Sequence, residues 1–65
     1  MKVRINQTPC DLPEGATLAH AVAASHVAPP FAAALNLQFV PRTQYDQTPL
    51  AEGDRIELIA PVVGG

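Results

Sequence analysis

Two glycines, Gly64 and Gly65, close the sequence, and theirs is the chemistry most easily named from residue type and position. At a usage of about 7% per position, such a pair arises by chance in about one chain end in 200, so it asks for a reason. Glycine has no Cβ, and a chain ending this way is thin enough to thread a narrow channel in a partner. A terminal α-carboxyl, with a reference pKa of about 3.3–3.7, is ionised at neutral pH. A carboxylate can attack the α-phosphorus of ATP, and the mixed anhydride so formed is open to a sulfur nucleophile. No Gly-rich phosphate loop followed by Lys occurs in the sequence, so the ATP for such a step is expected on another protein. The bland alternative is a frayed terminus.

Other reactive side chains are weaker candidates. Cys10 is the single cysteine; a nucleophilic role would need a nearby base, and the inert reading is a small buried hydrophobe. His20 and His26 stand six apart and point to different faces of a helix, unlike the i, i+4 pair of a metal site. They read as helix-surface histidines, and no metal ligand set is expected. Asp46, Glu52, Asp54 and Glu57 read as solvated turn and strand residues, since nothing in their spacing places two of them around a cleft. Arg42 and Arg55 are either ordinary surface charges or cations that steer an acidic partner. Phe31, Leu37, Phe39 and Ile59 exceed what so small a core hides. Part of that set is expected to form an exposed apolar docking patch, and the candidate docking surface is Phe39, Arg42, Arg55 and Ile59.

The chain that must position these residues has 65 of them, enough for one small domain. A chain of that size buries only about 60% of its unfolded surface, which disfavours a self-contained enzyme with a walled pocket. Hydrophobic residues are 48% and charged ones 15%, a globular balance. Four Lys+Arg and a net charge of −2 make nucleic acid a poor partner. A lone cysteine points to a reducing cytoplasm. No apolar run reaches the roughly 20 residues of a membrane span, and the alternating N-terminus does not read as a signal peptide.

Lys2-Val3-Arg4-Ile5-Asn6 alternates with period two, the pattern of a half-buried strand. Asn6 to Pro9 is expected to turn, and Cys10-Asp11-Leu12 to return as a second strand. After the break at Pro13-Glu14-Gly15, Leu18, Ala21, Val22 and Ser25 recur at helical spacing. The helix is expected over Thr17 to His26, with Thr17 as N-cap. His20 stands where a capping box has Glu or Gln, so no capping box is expected. Pro29-Pro30 ends this segment. Short strands are expected at Ala32–Asn36 and Phe39–Val40, joined by a tight hairpin, followed by an irregular Arg42–Leu50. Glu52-Gly53-Asp54 turns into a last strand, Arg55 to Ala60, in which Ile56 and Leu58 alternate with charged residues. One helix on one face of a small mixed sheet of four to five strands is the economical way to bury these surfaces. With the first and last strands parallel neighbours in the centre, the arrangement is an α+β β-grasp. Residues 1–60 are expected to form this domain, and 61–65 an extended, flexible tail.

Four segments, Ala34-Leu35-Asn36, Phe39-Val40-Pro41-Arg42 with Tyr45 three on, Gly53-Asp54-Arg55-Ile56-Glu57 and terminal Gly64-Gly65, carry a family likeness over nearly the whole chain. The sequence resembles the ThiS-type sulfur carriers of thiamine biosynthesis, in the ubiquitin-like β-grasp superfamily. Val63 departs from the small residue or third glycine that many relatives place before the terminal pair. The resemblance implies that an E1-like adenylyltransferase activates the Gly65 carboxylate with ATP. Sulfur from a cysteine persulfide, supplied by a cysteine desulfurase route, then makes a thiocarboxylate, which thiazole synthase consumes. It implies a carrier and co-substrate rather than an enzyme, with no catalytic residue and no bound cofactor. Val62, Val63, Gly64 and Gly65 would thread into the partner. The alternatives are a carrier like the molybdopterin-synthase small subunit, a ubiquitin-like protein modifier, and a plain interaction domain with a coincidental tail.

Overall fold

The alternating N-terminus forms strand β1, Lys2–Ile5, with Val3 and Ile5 buried and Lys2 and Arg4 exposed. The computed structural model describes residues 1–60; the expected tail, 61–65, lies outside the described residues. Asn6 and Gln7 both adopt the left-handed region, φ 50° and 70°. Such a two-residue turn matches the twist of the strands it joins. The turn is therefore shorter than the sequence suggested. Strand β2 spans Thr8–Asp11 and pairs antiparallel with β1, Ile5 opposite Thr8 and Lys2 opposite Asp11. Pro9 sits inside β2, opposite Arg4, and is tolerated because β2 is an edge strand with no ladder on its outer side.

Helix α1 spans Leu18–Ser25 with Thr17 as N-cap and His26 as C-cap at φ 60°. It buries Leu18 and Ala21 completely against the sheet. A capping interaction is present after all: the Thr17 N–H donates to His20 Nδ1 at 2.9 Å. The imidazole nitrogen does what a Glu or Gln side-chain oxygen does in the usual motif.

Strands β3, Ala32–Leu35, and β4, Gln38–Val40, form a second hairpin. Its turn, Asn36-Leu37, repeats the left-handed pair at φ 50° and 71°. The stretch read as irregular contains a 3₁₀ helix, Arg42–Gln47. The residues after it are pinned to the start of α1, where the Leu18 N–H donates to Thr48 O at 2.9 Å and the Leu50 N–H to Ala16 O at 3.0 Å. Leu50 is buried there.

Strand β5, Arg55–Ile59, lies between β1 and β3. It runs parallel to β1, with Arg4 beside Arg55 and Ile5 beside Ile56, and antiparallel to β3, with Ala32 opposite Ile59. The sheet order is β2-β1-β5-β3-β4, so the first and last strands are parallel neighbours in the centre, and the fold is the β-grasp. One core joins Val3, Ile5, Leu12, Ala16, Leu18, Ala21, Ala33, Val40, Leu50, Ile56 and Leu58.

Candidate functional site

The residues expected to react or to thread, Val62, Val63, Gly64 and Gly65, lie outside the described residues. The described ones show where that segment is rooted and what surface lies beside the root. Alternation along β5 turns Ile56 and Leu58 into the core and Arg55, Glu57 and Ile59 to the opposite face. Directly paired residues share a face. Phe39 pairs with Ala34 and Ala34 with Glu57, while Ala32 pairs with Ile59. Phe39 and Ile59 thus stand on one outer face, 69% and 58% exposed, with the small side chains of Ala32 and Ala34 between them. Arg55 lies on the same face with Arg4 beside it on β1. Both guanidinium residues border a shallow open cleft with Gln7, Gly53 and Glu57.

Arg42 does not join this face. It opens the 3₁₀ helix and borders a groove on the helix side, with Val22, His26, Phe31 and Tyr45. Phe31, expected among the surplus apolar residues, is half-buried there and stacks on Tyr45, ring centroids 6.4 Å apart and 6° from parallel. Leu37 is 79% exposed at the β3–β4 turn, the opposite end of β3 from Ala32, which is the strand's partner to Ile59.

Other candidates have local tasks. Cys10 is a half-buried free thiol in β2. Glu52 accepts the Lys2 N–H at 2.9 Å. Asp54 accepts the Ala51 N–H at 2.8 Å and the Asn36 side-chain amide at 3.1 Å. The Met1 ammonium donates to Asp11 Oδ1 at 3.2 Å and to Leu12 O at 2.9 Å, with Glu14 at 3.7 Å. The Asp11 hydrogen bond foremost raises its pKa above the ordinary 8.0; desolvation, next in size, opposes the rise, and the charges of Asp11, Glu14 and Glu52 add to it. Among the described residues, no three His, Cys, Asp or Glu side chains come together to hold a metal, and no helix is long and apolar enough to cross a membrane. Residue-type reasoning passed over Asn6 and Asn36, whose side chains bind β5. The available signal was an Asn opening each of two short turns.

Among the described residues, one α-helix packed on a five-stranded mixed sheet with the last strand central defines a ubiquitin-like β-grasp domain. The sequence profile of the ThiS family matches residues 3–65, terminal glycines included. The chain belongs to the ThiS family, the sulfur carriers of thiamine biosynthesis. It is similar to the crystal structure of the thiamine biosynthesis protein ThiS from Geobacter metallireducens, with a TM-score of 0.81, 25% identity and full coverage of both chains. It is also similar to the solution NMR structure of a thiamine biosynthesis protein from that organism, with a TM-score of 0.78 and 26% identity over 100% of this chain and 88% of the other. No curated protein matches the chain.

Proposed function

We propose that this chain carries sulfur on its terminal carboxyl group as a co-substrate for thiazole formation. The observation that carries the reading is the ThiS-family match extending through Gly64-Gly65. In this reading an E1-like adenylyltransferase binds ATP, and the Gly65 carboxylate attacks the α-phosphorus, releasing pyrophosphate. A persulfide sulfur, delivered by a cysteine desulfurase route, displaces AMP. A second thiol then takes up the outer part of the resulting acyl disulfide and frees the thiocarboxylate. Thiazole synthase removes the sulfur and returns the carboxylate. The chain acts as carrier rather than enzyme, binds no cofactor of its own, and works in the cytoplasm.

Residues 1–60 act as the docking body and 61–65 as the segment that enters the partner's active site. The outer face bearing Phe39, Ile59 and Arg55 is the docking surface, with exposed apolar side chains for contact and the Arg4–Arg55 pair to steer an acidic partner. Arg42, on the helix side, makes a separate contact.

Intact-mass measurement tests the chemistry. After incubation with the cognate adenylating enzyme, ATP and a persulfide source, the chain should gain the mass difference of one oxygen replaced by sulfur. A chain lacking Gly65 that acquires sulfur at the normal rate would overturn the terminal-carboxyl mechanism. Rescue of thiamine auxotrophy, against restoration of molybdoenzyme activity, identifies the acceptor.

A further inference from the structure

The parallel ladder between β1 and β5 is short. It ends at Ile5 and Ile56, because the chain turns away at Asn6-Gln7. β5 continues to Ile59. On the β1 side this leaves the N–H and C=O of Leu58, a buried residue, beyond the reach of the strand. Unpaired, they would be costly. Asn6 makes three bonds to β5, two of which fill the gap. Its backbone N–H donates to Ile56 O at 2.9 Å. Its side-chain Oδ1 accepts the Leu58 N–H at 2.8 Å, and Nδ2 donates to Leu58 O at 3.3 Å. A side-chain amide offers the same donor and acceptor as a peptide group, so Asn6 extends the ladder one step past the end of its own strand.

Only Ile59 and Ala60 separate Leu58 from residue 61. Without the Asn6 amide, this last stretch of β5 would be held by β3 alone, through Ala33 opposite Leu58 and Ala32 opposite Ile59. The geometry points to Asn6 as a positioning residue that fixes the end of β5, the root of the C-terminal segment. Its functional consequence rests on the proposed sulfur-carrier reading: a fixed root, two residues before the tail begins, limits how far the reacting carboxyl group can stray from the docking face. Asn36 is a built-in control. It makes a related pair of bonds at the far end of β5, where its backbone N–H donates to Arg55 O at 2.8 Å and its Oδ1 accepts the Arg55 N–H at 3.0 Å. Both asparagines have φ 50°, so glycine removes either side chain without imposing backbone strain.

The test compares Asn6→Gly with Asn36→Gly in the full chain. Amide hydrogen exchange at Leu58, read by NMR, should quicken about threefold to tenfold in Asn6→Gly relative to Asn36→Gly, the worth of an ordinary hydrogen bond. With the cognate adenylating enzyme, Asn6→Gly should lower kcat about tenfold to a hundredfold, the scale of a small misplacement of reacting groups. KM should change less than kcat, because Asn6 itself lies outside the docking face and β3 still pairs with Ile59. Asn36→Gly should keep kcat near wild type. Equal kcat in the two variants, or unchanged exchange at Leu58, overturns the assignment. If the wild-type chain is not adenylated, the proposed function fails, and the exchange experiment still decides the positioning claim. Should Asn6→Gly not fold, Asn6→Asp keeps the acceptor for the Leu58 N–H and loses the donor to its carbonyl. A fall in kcat between wild type and the expected Asn6→Gly value supports the assignment, and wild-type kcat overturns it.

Discussion

Two single residues show how backbone demands choose side chains in this protein. His20 caps α1 by accepting the Thr17 N–H on Nδ1, and the Thr17 hydroxyl lies 3.1 Å from the same nitrogen. His20→Ala should lower stability by about 0.5–1 kcal/mol. For a domain of this size that is about 2–8 °C in Tm. His20→Gln, which restores an acceptor, should recover most of the loss in the same melting experiment. Leu37 presents the reverse case. A bulky aliphatic residue is held at φ 71°, a conformation that costs a non-glycine residue about 1–2 kcal/mol. Part of that is offset by the larger unfolded-state entropy of glycine. Leu37→Gly should therefore raise stability by up to about 1 kcal/mol by chemical denaturation. A loss of stability would mean that the exposed Leu37 side chain holds the hairpin in a way the φ argument misses.

At the scale of elements, α1 depends on very few contacts. Leu18 and Ala21 are its only fully enclosed side chains, so Leu18→Ala should cost about 2–5 kcal/mol. In so small a domain that is enough to leave a visible unfolded fraction in circular dichroism or NMR spectra. The start of β1 is tied to the end of β2 through the Met1 ammonium. Its folded pKa lies above 8.0, so the stabilisation is fully present below that value and is lost as pH rises through the raised folded pKa. In a chain with a free Met1 amine, melting temperature should decline on the alkaline side of 8.0. The decline should be weaker in Asp11→Asn and absent after N-terminal acetylation. An equal decline in the acetylated chain would assign the effect to another group.

The whole molecule separates a core that holds the fold from a face available to partners. Val3, Ile56 and Leu18 are fully buried, whereas Phe39 and Ile59 stand on the far side of the same sheet. Exposed side chains of this kind contribute little to folding. Phe39→Asp and Ile59→Asp should each leave Tm nearly unchanged yet raise KM for the adenylating enzyme about tenfold or more, if they anchor the docking face as proposed. Unchanged KM in both variants would move the docking surface elsewhere, with the Arg42 groove as the next region to probe.

Much of this molecule was legible in its sequence because the relevant forces are local. The alternation of Val3 and Ile5, and of Ile56 and Leu58, determined two strands and the face each buries. The spacing of Leu18, Ala21 and Val22, with Thr17 before it, determined the helix. The four family-like segments pointed to the β-grasp. Other features needed the tertiary structure. The turn at Asn6-Gln7 placed Pro9 within β2 because Pro9 falls on an edge, and being an edge is a property of the sheet rather than of the residue. Phe31 left the exposed set because Tyr45, fourteen positions on, lies parallel to its ring. Arg42 parted from Arg55 because strand order and register, not residue type, decide which side chains share a face. Asn6 acquired its role only where β1 runs out beside Leu58, a contact spanning 52 positions. Pattern reveals what a segment prefers, and chain closure decides which unmet backbone groups it will meet.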